Sequence, residues 1–191
     1  TTGEGLWKLA RHRDFLALCV VHFFALYAPM TVIIWGPSYL VDHLNITVGQ
    51  AGLYIAFTTG ISLFGALTWG RLSDKIGRKW LTIGMFATGA VMVSLLPMAE
   101  STHALLLTLG VFGLVTGFAW NPILVAWVGD RAVQWEGVGI GTVMGIMNTA
   151  GVSSAFVAPI VSGWISDTTG SLSWAFYIGA SAYSIAIAGA M

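Results

Sequence analysis

The sequence predicts an all-α membrane protein of six transmembrane helices, and three observations carry that prediction. Of its 191 residues, 57% are hydrophobic and only 8% are charged, against about a quarter charged in soluble globular domains. That is too few polar groups to cover a surface facing water, whereas in lipid apolar side chains can face outward. Apolar runs of spanning length recur along the chain, a transmembrane helix needing about 20 such residues at about 1.5 Å rise each. The basic residues, finally, fall only in alternate breaks between those runs.

The runs lie at Phe15–Val41, Val48–Gly70, Trp80–Met98, Ala104–Val128, Gly137–Ile165 and Ser173–Met191. The first ends at Asp42-His43-Leu44-Asn45 and the second at the charged stretch from Arg71 to Lys79. Pro97 closes the third before Ala99-Glu100-Ser101-Thr102-His103, the fourth gives way to residues 129–136, and the fifth to Ser166-Asp167-Thr168-Thr169-Gly170-Ser171. Lys8, Arg11, Arg13, Arg71, Lys75, Arg78, Lys79 and Arg131 occupy the N-terminal segment and the second and fourth breaks, while the other breaks hold only Asp42, Glu100 and Asp167. Basic residues in short loops mark the cytoplasmic side. Six alternating spans therefore place the N-terminal segment in the cytoplasm, in a plasma membrane or a bacterial inner membrane.

Several function classes are excluded. Eight basic residues balance eight acidic ones, so no basic field is present for nucleic acid. Cys19 is the single cysteine and cannot form an internal disulfide. No nucleotide-binding loop, metal-ligand cluster or nucleophile–base arrangement is present, so the expectation is a non-enzyme with no metal and no cofactor. Glycines instead concentrate within the spans, as at Gly60, Gly65, Gly137, Gly139, Gly141 and Gly145, where small residues let membrane helices approach closely. Both ends read as truncated: the chain opens at Thr1 without a signal peptide, and the last run stops at Met191 without a flanking charge.

The second break reads Gly70-Arg71-Leu72-Ser73-Asp74-Lys75-Ile76-Gly77-Arg78-Lys79. It resembles the signature loop of the major facilitator superfamily, Gly-x-Leu-Ala/Ser-Asp-Arg/Lys-x-Gly-Arg-Arg/Lys, at every specified position. The resemblance implies one six-helix bundle of a two-bundle transporter fold, with alternating access between the halves. It also implies a conformational latch built from Gly70, Asp74, Gly77, Arg78 and Arg131. The two glycines permit close backbone approach and a tight reversal, and the Asp74 carboxylate suits a helix N-terminus or an arginine. Asp74 would meet a helix of the missing N-terminal half, with Arg131 its nearest partner in this one.

Arg11-His12-Arg13-Asp14-Phe15 and Trp35-Gly36-Pro37-Ser38-Tyr39-Leu40 resemble the entry and exit of the seventh span of that family. The stretch from Pro159 through Gly163-Trp164-Ile165-Ser166-Asp167 to Phe176 resembles the eleventh-to-twelfth connection, most closely in the organic-anion:cation symporter branch. This assigns residues 1–14 to the cytoplasmic end of a central loop and residues 15–191 to the C-terminal bundle. One departure stands out: Asp130 and Arg131 are adjacent, and Glu136 precedes Gly137 where the family commonly has arginine.

No Lys, Arg, Asp or Glu falls inside the six runs. His22 is the one ionisable residue there of a kind that marks ion pathways, which makes it a candidate for proton coupling. Against that role, it lies about 140° around its helix from Tyr27, so a packing histidine is the alternative. Tyr27, Thr31 and Trp35 line one stripe of the first run. The family resemblance implies that the first spans of each three-helix repeat, here the first and fourth, line the cavity, which makes these and Trp120 and Asn121 of the fourth run candidate substrate contacts, with Asn148 of the fifth, on one face with Gly141 and Gly145, added to them. The function expected is secondary active transport of a small solute, an organic acid anion among the candidates, driven by a proton or sodium gradient. The competing readings are a sensor on a transporter fold and a half-size transporter working as a dimer.

Overall fold

The computed structural model describes residues 3–135 and 137–191. Among these the chain is helical almost throughout: α1 (Gly3–Leu9), α2 (Arg13–Leu44), α3 (Val48–Ile76), α4 (Arg78–Leu95), α5 (Thr102–Val115), α6 (Asn121–Ala132), α7 (Ile140–Val152), α8 (Ser154–Thr169) and α9 (Ser173–Ala190). One turn of 3-10 helix, Leu96–Met98, carries Pro97 and ends the third run. Four helical stretches are long and apolar enough to cross a membrane by length and composition: Arg13–Leu44, Val48–Ile76, Arg78–Met98 and Ile140–Thr169. The last of these is α7 and α8 end to end. The predicted fourth run is likewise two helices, α5 and α6, where one was expected.

Helix ends follow local chemistry. Asn45 closes α2 in the left-handed region (φ 52°), a conformation asparagine tolerates better than most residues. Thr47 and Gln50 form a reciprocal cap on α3. Gly77 alone separates α3 from α4, with φ 98°, a value only glycine adopts without strain. The signature segment is therefore helical on both sides of one residue rather than an extended loop.

Buried α2 forms the axis and packs against α3, α7, α8 and α9, while α4 packs on α5 and α9 and α3 on α5. Phe86 of α4 stacks on Tyr183 of α9 and meets Trp120 edge-on, the centroids 5.4 and 5.6 Å apart. The outer surfaces carry bare apolar side chains such as Leu53, Phe64 and Leu67 on α3, and Phe156, Ile160 and Trp164 on α8. Surfaces of that kind belong against lipid or another bundle.

The break between α5 and α6 has a definite cause. The amides of Thr116 and Gly117 both donate to Phe112 O, at 2.8 and 2.9 Å, and those of Ala119 and Asn121 bond three residues back. Pro122 contributes no amide proton. A carbonyl freed inside a bilayer must find another donor. Leu114 O receives the indole N–H of Trp69 from α3 at 2.7 Å, and Gly117 O receives that of Trp120 at 3.0 Å. Replacing Trp69 with Phe keeps the ring but strips Leu114 O of its donor. The expected cost is about 1–3 kcal/mol, read as a lower unfolding midpoint of the detergent-solubilised full-length protein.

Candidate functional site

The sequence-derived latch residues lie where α3 gives way to α4, and at the end of α6. Arg78, the first residue of α4, reaches two carboxylates: its Nη2 lies 3.3 Å from Asp74 Oδ1 and its Nε donates to Asp130 Oδ2 at 2.6 Å. The expectation that Arg131 would be Asp74's nearest partner is thus corrected. Arg131 instead donates to Asp14 Oδ2 at the start of α2, at 2.8 Å. The reason is helical geometry. Asp130 and Arg131 are neighbours on α6 and point about 100° apart, one toward α4 and the other toward α2. Asp74 likewise finds a donor four residues along, on the first residue of α4 just past the Gly77 turn.

Gly77 makes the tight turn expected of it, and Gly70 does not. Gly70 sits inside α3, with its carbonyl accepting from Ser73 Oγ at 2.6 Å. A Cβ at position 70 would meet nothing within 4 Å. No close approach to Gly70 exists among the described residues. Glu136, whose place before Gly137 set this chain apart from the family pattern, lies outside the described residues.

The candidate substrate contacts divide into two groups. Tyr27, Thr31 and Trp120 are 5%, 0% and 0% exposed, built into the packing of this bundle. Thr31 Oγ1 donates to Tyr27 O within its own helix, at 3.2 Å. Half-buried Trp35 reaches across to α8, its indole N–H donating to Pro159 O at 3.1 Å, where Gly163 leaves room for the ring. Asn121 and Asn148 behave differently. The structure brings them together, one at the start of α6 and one on α7, on the wall of an open cavity of about 370 Å³ completed by Val125, Met144, Gly145 and Met147. None of the described residues lining it is charged. The space exists because Gly145 presents no side chain there and because α6 starts afresh at Asn121, after the break.

His22 sits just behind this region, 1% exposed. Its ring meets Trp120 edge-on at 5.5 Å and lies against Gly151, where any Cβ would fall 2.4 Å from the imidazole. The ring is thus packed inside the bundle, with the backbone of Met147 as a polar neighbour.

Sequence reasoning missed the roles of Asp14, Asp130 and Trp69. Their partners are 117, 52 and 45 residues away in sequence, and no local spacing encodes such pairs. The two methionines of the cavity wall carry no signal that separates them from core.

The sequence matches the family model described as Major Facilitator Superfamily over residues 18–191. "Multidrug resistance protein MdtG" of Serratia proteamaculans is 30% identical over 145 residues, which cover 72% of this chain and 33% of that protein. A protein of Agrobacterium vitis named as a candidate tartrate transporter is 28% identical over 163 residues, 85% of this chain and 36% of its own length. The Proteus mirabilis MdtG is 26% identical over 131 residues, 68% of this chain and 31% of that protein. The chain spans about a third of the length of the curated relatives it matches.

Proposed function

The chain belongs to the major facilitator superfamily, and from that premise we propose that it is the C-terminal six-span bundle of a secondary transporter for a small solute. It is an integral membrane protein. In this reading α5 with α6, and α7 with α8, each make one span, and the basic clusters put the N-terminal segment in the cytoplasm. A second six-helix half faces the open side of the bundle, and the two rock about a solute bound between them, driven by an ion gradient. The observation that carries the site is the convergence of Asn121 and Asn148 on one cavity whose described lining carries no charge. Two carboxamides offer donors and acceptors together, suited to the carboxylate and hydroxyl groups of an organic acid. The net positive charge such an anion requires comes from the missing half.

Transport of radiolabelled tartrate into proteoliposomes of the full-length protein tests this reading. The single variants Asn121→Ala and Asn148→Ala are expected to lower uptake at limiting substrate by roughly 10-fold each, the order of one lost hydrogen bond to a charged group. They should leave the amount of inserted protein unchanged. Wild-type rates in both variants remove these residues from the site.

A second reading has its own support: Val125, Met144 and Met147 make most of the cavity wall apolar, and two relatives carry multidrug-resistance names. Efflux of an apolar dye from everted vesicles, with no tartrate uptake, selects it.

A further inference from the structure

We propose that His22 is a positioning residue for the Asn121–Asn148 cavity, its ring serving as the spacer that sets how far apart the two carboxamides stand. The inference rests on the reading of that cavity as the solute site and adds to it the part that holds the site to size.

The described residues lining the cavity come from α6 and α7, yet both asparagine-bearing segments rest on one side chain of α2. The His22 ring meets Trp120 edge-on, and Trp120 is the residue immediately before Asn121. On its other side the ring meets α7. Gly151 faces it directly, and the backbone of Met147, the residue immediately before Asn148, is its polar neighbour. His22 does not itself line the cavity, so it acts through these neighbours.

Neither side of the ring can yield cheaply. Trp120 is fully buried, tied through its indole to Gly117 O and edge-on to Phe86. On the α7 side, a Cβ at position 151 would fall 2.4 Å from His22 Cδ2 and 2.6 Å from Cγ, where carbon atoms ordinarily stand about 3.5–4.0 Å apart. Cγ is the ring atom nearest the backbone and cannot swing away as the tip of a flexible chain does. Glycine therefore lets α7 come up to the ring, and the ring stops it from coming nearer. Packed interiors of this kind pass a displacement on to their neighbours rather than absorbing it. A binding site tolerates only about 0.5 Å of such looseness.

The test measures KM and maximal rate separately for radiolabelled tartrate uptake by the full-length protein in proteoliposomes. His22→Ala is expected to raise KM roughly 10-fold with the maximal rate largely kept, and His22→Phe, which keeps a ring, to restore most of the affinity. The double variant His22→Ala/Asn148→Ala should be no weaker than Asn148→Ala alone, because residues acting as one unit are not additive. A second readout is independent of transport. In a Cys19→Ser background, the pair Asn121→Cys/Asn148→Cys is joined by bifunctional maleimides of graded length. His22→Ala is expected to change the length that joins them best, and His22→Phe to leave it as it was. Should His22→Ala fail to insert, His22→Asn serves both readouts. Unchanged cross-linking in the smaller variant overturns the proposal, and so does an unchanged KM where Asn148→Ala raises it. Loss of maximal rate in His22→Phe at unchanged KM overturns it in favour of a proton carrier. Cross-links that shift as expected, with wild-type uptake in Asn121→Ala and Asn148→Ala, sink the solute site and leave the spacer standing.

Discussion

Gly65→Ala is expected to prevent the full-length protein from reaching its folded monomer in detergent. A single Cβ at that position would lie 2.0 Å from Leu114 O and 2.8 Å from Ala119 Cβ. The first obstacle is backbone, which cannot rotate away as a side chain can, and α3 would have to back off from α5. That displacement pulls the Trp69 indole from Leu114 O and opens the facing contact, where a Cβ on Gly113 would meet Thr58 O at 2.3 Å. Overpacking of a tight core costs about 1–3 kcal/mol, occasionally more, and here the loss of a hydrogen bond adds to it. Gly84→Ala is the matched control, since nothing lies within 4 Å of its Cβ. An exposed helical glycine replaced by alanine gains up to about 1 kcal/mol. Size-exclusion profiles and unfolding midpoints of the two variants measure the contrast, and equal behaviour would remove the close α3–α5 crossing from the account.

Asp74→Asn is expected to cut transport at least about 10-fold, a loss of about 1.4 kcal/mol or more in driving the cycle, with little change in stability. Asp74 is 66% exposed at its side chain and shares Arg78 with Asp130. Ion pairs this exposed contribute about 0–1 kcal/mol, so the fold does not depend on this carboxylate. A latch does depend on it, because with Asn at position 74 the Arg78 guanidinium is left to Asp130 alone. Uptake per inserted molecule, set beside the unfolding midpoint, separates the two roles. Undiminished uptake by this variant would falsify the latch.

Four of the runs were legible as candidate spans because hydropathy is local, and Pro97, Asn45 and Gly77 mark ends where their backbone chemistry requires. The division of the fourth run was not legible. Gly117 and Pro122 hint at it, but the break persists because Trp69, on another helix, caps the exposed carbonyl. The signature segment was read as a loop because its residues are charged, yet charge at the end of a membrane helix is compatible with continued helix, and only Gly77 departs from it. In the candidate site, Asn121 and Asn148 were recognisable as amides in apolar surroundings. The inward packing of Tyr27, Thr31 and Trp120 was not, since a polar stripe on a helix looks the same whether it faces a cavity or a neighbour.

The two-piece fourth segment also bears on how the chain enters the membrane. At about 1.5 Å per residue, α5 with its 14 residues and α6 with its 12 each fall short of the roughly 30 Å hydrocarbon core. If the two make one span, as proposed, neither is integrated alone and the pair has to leave the insertion machinery together. Since α3 precedes them in the chain, Trp69 is already in the bilayer when the interrupted backbone arrives. The order of synthesis delivers the donor before the carbonyl that needs it.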